Sequence, residues 1–123
     1  MTFRDLIEVL RRHHAAVRER PHAVTFMVDG ERVEVFRVRV GGDEWAALTS
    51  AGGPGVCPRN PGLGAVVTYS GGWALRLSLP VGEVQPRTFA GVVRRLAAES
   101  AALRHAARRP RDPSVFEAWA DAG

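Results

Sequence analysis

The sequence predicts an α+β domain in which an antiparallel sheet of about five strands is flanked by an N-terminal helix and a long C-terminal helix, with a short helix at the end. Three observations lead to this prediction. Apolar residues recur at helical spacing near both ends of the chain. Between them, runs of alternating apolar residues flank Asp29-Gly30 and Gly41-Gly42, and another pair flanks Gly71-Gly72.

The first helix is predicted over residues 3–19. Thr2, followed three residues later by Asp5, forms a capping-box pattern at its start. Helical spacing then relates six residues that would form one apolar stripe: Phe3, Leu6, Ile7, Leu10, His14 and Val17. Pro21 is expected to end the helix.

Asp29-Gly30 predicts a β-hairpin, because these residues favour the positive φ angles of a type I′ turn. Pairing across the turn places two apolar pairs on one face: Phe26 with Val33, and Val24 with Val35. After Val35 the apolar positions shift by one residue. A β-bulge at Val35-Phe36 is the simplest interpretation of that shift.

Gly41-Gly42 predicts a second two-residue turn. Pairing across it gives Val38 with Trp45 and Phe36 with Ala47 on one face, and Arg39 with Glu44 on the other. This register favours a third strand over residues 44–50. The alternative is a short helix with Asp43 as N-cap, since residues 46–48 have high helix propensity.

Residues 52–64 predict a long loop, because they contain five glycines and three prolines. The loop is expected to connect strands across the sheet, with a lid or partner-binding role as the alternative. A further hairpin follows over residues 65–79. Its pairing across Gly71-Gly72 would set Val66 and Thr68 opposite Leu77 and Leu75.

A long helix is predicted to begin with Pro86 and to end before Pro110. One side of it carries Phe89, Val92, Val93, Leu96, Ser100, Leu103 and Ala107. Residues 1–110 would then form a single domain and residues 111–123 a short helical tail that begins at Asp112-Pro113. Val115, Phe116 and Trp119 in this tail would either anchor a partner or fold back onto the domain's own core.

The net charge is +4, and all 17 basic residues are arginine. Without lysine, a Walker A lysine, a Schiff-base lysine and a lysine general base are excluded. The abundance of Gly, Ala, Arg and Pro is typical of a GC-rich bacterial or phage genome. Seven arginines against Glu99 in residues 86–111 indicate a solvated helix face or a polyanion contact, and the candidate contacts are Arg94, Arg95, Arg104, Arg108 and Arg109.

No spacing of ligand residues predicts a metal or cofactor site. His13 and His14 would lie about 100° apart on a helix and cannot face one metal ion. His14 is interpreted as a hydrogen-bonded residue at the edge of the core. Cys57 lies near Arg59, a cation of the kind that activates thiols, but no motif brings it a base. We therefore predict no catalytic, cofactor-binding or metal-binding residue, with chemistry at Cys57 or a histidine as an alternative.

The segments LRLSLP and TFAGVVRRLAAESAALR, with Pro86 between them and with the N-terminal helix and hairpins, resemble the type III secretion chaperone-like superfamily, which includes YbjN-type regulators. The resemblance covers about two-thirds of the chain and implies a dimeric protein that binds other proteins. The chain departs from this pattern in its basic charge and in the Gly/Pro loop that replaces a helix. VDGERVEVFRV and GDEWAAL are similar to small tail-assembly or adaptor proteins of actinobacterial phages.

The predicted function is a non-enzymatic protein-binding module, chaperone- or adaptor-like and self-associating. Its partner would be another protein or a second copy as a homodimer, and no cofactor is expected. The alternative function is nucleic-acid binding through the arginine-rich helix over residues 86–111. A lone cysteine, no long apolar segment and no signal-peptide pattern predict a cytoplasmic protein without a membrane partner.

Overall fold

The computed structural model describes residues 1–108 of the chain. In sequence order, the elements are α1 (Phe3–His13), β1 (Ala15–Arg20), β2 (Ala23–Val28), β3 (Glu31–Val40), β4 (Asp43–Pro54), β5 (Ala65–Tyr69), β6 (Gly72–Pro80), a 3₁₀ turn (Val81–Glu83) and α2 (Pro86–Arg108). The predicted terminal helix and its residues Val115, Phe116 and Trp119 lie outside the described residues.

Within residues 1–108, six strands form one antiparallel sheet in the spatial order β1-β2-β3-β4-β6-β5. The predicted α+β class, with an antiparallel sheet, an N-terminal helix and a long C-terminal helix, is confirmed. The strand number differs from the expected five because residues 15–20, which the sequence pattern assigns to the first helix, form an edge strand.

Helix α1 begins as predicted but ends at His13, well before residue 19. The side chains and backbone N–H groups of Thr2 and Asp5 bond reciprocally, as the capping-box pattern indicates. At His14 the backbone is already extended (φ −134°, ψ 154°), and the following residues bond to β2. Val17 packs against the core from the strand, so the helical spacing of this apolar residue was misleading.

The first hairpin has the predicted register, with Phe26 opposite Val33 and Val24 opposite Val35. The predicted bulge is wrong, because β3 pairs with β4 without a register shift. The strand keeps its alternation, so Phe36 and Val38 lie on the face opposite to that of Val35. The shift in apolar phase therefore marks a second apolar face of the sheet.

The second hairpin confirms the preferred strand over the alternative helix. Gly41 and Gly42 form the turn with φ angles of 57° and 89°, and all three predicted pairs occur. Strand β4 is longer than expected and continues to Pro54, with a register shift at Gly52. The predicted loop is correspondingly shorter and comprises residues 55–64.

The last hairpin forms, but its predicted register is wrong by two residues. Ser70 and Gly71 make the turn, and Gly71 has a φ of 85°. The pairs are therefore Val66 with Leu75 and Thr68 with Trp73. Since side chains alternate with a period of two, the shift keeps each of them on its predicted face.

Both helices pack on one face of the sheet, which we call the inner face. Helix α2 starts at Pro86, as predicted. It buries one side against the strands, with Phe89, Val93, Leu96, Ser100 and Leu103 fully covered, whereas Ala107 is exposed. The core between helices and sheet also contains Trp73 and Phe26, which together with Phe89 are the largest fully buried side chains. The opposite side of the sheet is called the open face below.

Candidate functional site

The open face carries an apolar patch that no element of residues 1–108 covers. Phe36 pairs with Ala47, and Val38 pairs with Trp45, so that four apolar side chains of β3 and β4 are adjacent. Ala47 is buried among its neighbours, Phe36 and Trp45 are half-buried, and Val38 is 40% exposed. We call these four residues the open-face patch. A large exposed apolar surface with a polar rim is typical of an interaction site.

The charged side chains of the open face are mainly basic. The strand registers place four arginines and two acids on this face: Arg18, Arg20, Arg32, Arg76, Glu34 and Asp43. Arg20 pairs with Glu34, and Arg76 donates a hydrogen bond to the Thr49 hydroxyl at 3.3 Å. Arg18 and Arg32 are exposed and form no ion pair within the described residues. The free guanidinium groups therefore favour an occupant with carboxylates.

A cleft of about 860 Å³ opens at one end of the sheet, between the start of α1, the β3–β4 turn and the 3₁₀ turn. Two of its carboxylates, Glu44 and Glu19, are already paired. Glu44 accepts a hydrogen bond from the Phe3 backbone N–H at 3.1 Å and contacts Arg37 at 2.7 Å. Arg37 lies 5.7 Å from the centre of the Phe3 ring. These contacts attach α1 to the second hairpin.

Glu19, on the other wall of this cleft, is held between two arginines of α1. Its carboxylate lies 2.5 Å from Arg4 and 2.8 Å from Arg11. The hydrogen bond from Arg11 is the main cause that lowers the pKa of Glu19 below its usual value. A carboxylate held in its charged form in this way suits a structural ion pair, and it is poorly suited to general acid or base chemistry near neutral pH.

The arginines of α2 do not form one continuous basic face. Arg104 lies against the sheet, where it pairs with Glu31 and donates a hydrogen bond to the Ala51 carbonyl at 2.6 Å. Arg94 and Arg95 are exposed and form no ion pair within the described residues. The side chains of Arg108 and Arg109, the remaining predicted polyanion contacts, lie outside what the structure describes. Arg104 thus has a structural role that its sequence context did not indicate.

The loop over residues 55–64 is attached to α2 by Glu99. Its carboxylate lies 2.7 Å from the Arg59 guanidinium and also accepts the Gly62 backbone N–H at 3.4 Å. Cys57 is half-buried against the core, and its thiol contacts the Arg59 carbonyl at 3.2 Å. No histidine is among the hydrogen-bond partners of this thiol in residues 1–108. The arrangement is that of a small side chain that anchors a loop.

His14 does not have the hydrogen-bonded role that its sequence position suggested. Its ring stacks on Phe26 with centroids 5.2 Å apart, and its buried Nε2 has no hydrogen-bond partner among the described residues. Burial is the main cause that lowers the pKa of His14, and the charges of His13 and Arg94 act in the same direction. The ring is therefore held neutral as part of the core edge.

In residues 1–108, no group of three or more His, Cys, Asp or Glu side chains is arranged to hold a metal ion. No helix of this part of the chain is long and apolar enough to cross a membrane.

Sequence reasoning did not identify the open-face patch as a site. The signal was present in the apolar pairs predicted across Gly41-Gly42, but the shift in apolar phase before them was interpreted as a bulge at Val35-Phe36. Comparisons give no further assignment, since no protein family, no curated protein and no solved structure matches this chain.

Proposed function

We propose that this protein is a non-enzymatic protein-binding module, chaperone- or adaptor-like, that holds a segment of a partner protein on the open face of its sheet. The observation that supports this proposal is the position of the helices. Both pack on the inner face, so the open-face patch of Phe36, Val38, Trp45 and Ala47 has no cover within residues 1–108.

The charges of the open face indicate the chemistry of the occupant. Arg18 and Arg32 are exposed and form no ion pair in the described part of the chain. A segment that places apolar side chains on Val38 and Trp45 and carboxylates toward these guanidinium groups would satisfy both features. The proposed occupant is therefore an acidic segment with apolar anchors.

A peptide library displayed on phage and panned against the full chain tests this proposal. Enriched peptides should combine acidic and apolar residues. Binding of a synthetic enriched peptide should weaken at least tenfold in Val38→Asp, because a buried carboxylate in the patch is unpaired. Val56→Asp is the matched control, since Val56 is 88% exposed in the loop over residues 55–64 and lies outside the patch.

Equal affinity of both variants for the peptide would contradict the proposal. A labelled DNA duplex, measured by fluorescence anisotropy in the same buffers, tests the rival function. Duplex binding that declines steeply with salt, and that is lost in a variant with Arg94 and Arg95 replaced by Gln, would favour nucleic acid as the partner instead.

A further inference from the structure

The two edges of the sheet are different. The β1 edge has a register shift between Ala15 and Arg18, with Ala16 at a φ of 56°, and Arg18, Glu19 and Arg20 supply charges along it. Bulges and charges are the devices by which proteins prevent an edge strand from pairing with another chain. The β1 edge is therefore protected.

The β5 edge has none of these devices. Its five residues, Ala65–Tyr69, contain no charge, no proline and no register shift. In this two-residue hairpin, Tyr69 and Gly72 form the hydrogen-bonded closing pair. Because such pairs alternate, the backbone N–H and C=O groups of Val66 and Thr68 point away from β6. No backbone group among residues 1–108 bonds to them.

The surroundings of this edge combine a large side chain and a hollow. Tyr69 is 58% exposed at one end of β5. At the other end, Ala65, Val67 and Arg76 border a hollow of about 440 Å³. An antiparallel neighbour with the same sequence would place its large residue beside the hollow and its small residue beside Tyr69.

We propose that two copies of the chain pair through β5, antiparallel and around a two-fold axis at Val67. Val66 of each copy then faces Thr68 of the other, and each of these two pairs exchanges both of its backbone hydrogen bonds. Val67 of one copy lies opposite Val67 of the other in a pair that is not hydrogen-bonded. Tyr69 of each copy lies opposite Ala65 of the other. The segment is complementary to itself in backbone groups, in the size of its side chains and in its lack of charge.

The protected β1 edge limits this assembly to a dimer. With one unprotected sheet edge in the described part of each copy, the interface is isologous and closed, and the two sheets become one continuous sheet. Strands keep their alternation across the axis, so the open faces of both copies point to the same side. The inference goes beyond the proposed function, because it specifies the self-association that the sequence analysis predicts.

Light scattering coupled to size-exclusion chromatography on the full chain is the first test. The wild-type protein should have twice the chain mass of 13.4 kDa. Val67→Lys should halve the measured mass, because two like charges would meet on the axis, whereas Val67→Thr should remain dimeric. A mixture of Val67→Lys and Val67→Glu should regain the dimer mass.

A second variant separates pairing from folding. Thr68→Pro removes an N–H that points away from β6, so its own hairpin should persist. The expected result is a monomer whose midpoint of thermal unfolding equals that of the Val67→Lys monomer. A cross-link provides a third readout. In a Cys57→Ser background, Val67→Cys should oxidise to a disulfide-linked dimer, whereas Ala65→Cys should not, because Ala65 faces Tyr69 instead of itself.

Three results would overturn the inference: a monomeric wild-type protein, a dimer mass that survives in both Val67→Lys and Thr68→Pro, or equal cross-linking at positions 65 and 67. The proposed function is judged separately, because the peptide assay at Val38 does not depend on the mass. Peptide binding by a monomer would refute the β5 pairing alone. A dimer without peptide binding would refute the open-face proposal alone.

Discussion

The hydroxyl of Ser100 on α2 donates a hydrogen bond of 2.6 Å to the backbone carbonyl of Ala51 on β4. This bond forms where β4 departs from its regular register with β6, between Ala51 and Gly53. Arg104, one turn further along α2, donates to the same carbonyl at 2.6 Å. The helix therefore satisfies a backbone group that the irregular strand leaves available, and this attachment fixes α2 against the end of the sheet.

Gly52, at the centre of this irregular segment, should not tolerate a side chain. A Cβ atom at this position would lie 2.1 Å from the Trp73 carbonyl oxygen, which is backbone and cannot move freely. We expect Gly52→Ala to lower the free energy of unfolding by about 3 kcal/mol, at the upper end of the range for overpacking. Urea denaturation followed by tryptophan fluorescence measures this change in the free energy of unfolding.

The adjacent Gly53 provides the control. A Cβ atom there would meet Arg104 and Trp73 side-chain atoms at 3.5 and 3.6 Å, which are ordinary contact distances. Gly53→Ala should therefore change stability by less than about 1 kcal/mol. An equal loss in both variants would show that the flexibility of the pair matters and that the close approach at Gly52 does not.

Glu44 should contribute to stability through α1. Its carboxylate accepts the Phe3 backbone N–H at the positive end of the helix dipole and also contacts Arg37. Glu44→Gln should lower the free energy of unfolding by about 1 kcal/mol, because the amide can keep the hydrogen bond but not the charge. Glu83→Gln is the control, since Glu83 is exposed and forms no ion pair within residues 1–108. The same loss in both variants, measured by urea denaturation, would argue against a specific role of Glu44.

Much of the fold could be predicted because the turns are specified locally. Asp29-Gly30 and Gly41-Gly42 impose two-residue turns, and the alternation on each side then fixes the registers that the structure shows. Residues 15–20 were assigned incorrectly because Val17 continues the helical stripe. Their strand conformation depends on pairing with β2, a non-local interaction that periodicity does not report.

The candidate site was harder to predict for a related reason. A shift in apolar phase at Phe36 is compatible with a bulge or with apolar residues on both faces, and only the positions of the helices distinguish them. Likewise, Arg104 belongs to a basic run in the sequence, but its partner Glu31 is distant in the chain and is brought close by packing. Local patterns do not contain this information.

Glu99 should control access to Cys57. It contacts Arg59 and the Gly62 N–H, so it holds the loop over residues 55–64 against α2. Glu99→Gln should increase the rate at which Cys57 reacts with a disulfide reagent by about fivefold, which corresponds to a loss of about 1 kcal/mol in loop attachment. Glu83→Gln should leave the rate unchanged. A rate in Glu99→Gln equal to that of the wild type would show that packing of Cys57, and not the ion pair, holds the loop.

His14 should make stability depend on pH. In the unfolded chain it takes up a proton near its ordinary pKa of 6.5, whereas burial lowers the pKa of His14 in the folded protein. Between these two pKa values the unfolded state therefore binds more protons than the folded state. The free energy of unfolding is accordingly highest above pH 6.5, and it declines as the pH falls toward the pKa of His14 in the folded protein.

The variant His14→Phe keeps a ring against Phe26 and removes the buried Nε2. It should abolish this decline and raise the free energy of unfolding by about 1 kcal/mol. Urea denaturation between pH 7.5 and about pH 5 measures both effects. His105→Phe replaces an exposed histidine of α2 that is not among the groups that shift the pKa of His14, and it should retain the wild-type pH dependence. Loss of the decline in His105→Phe would contradict the assignment to His14.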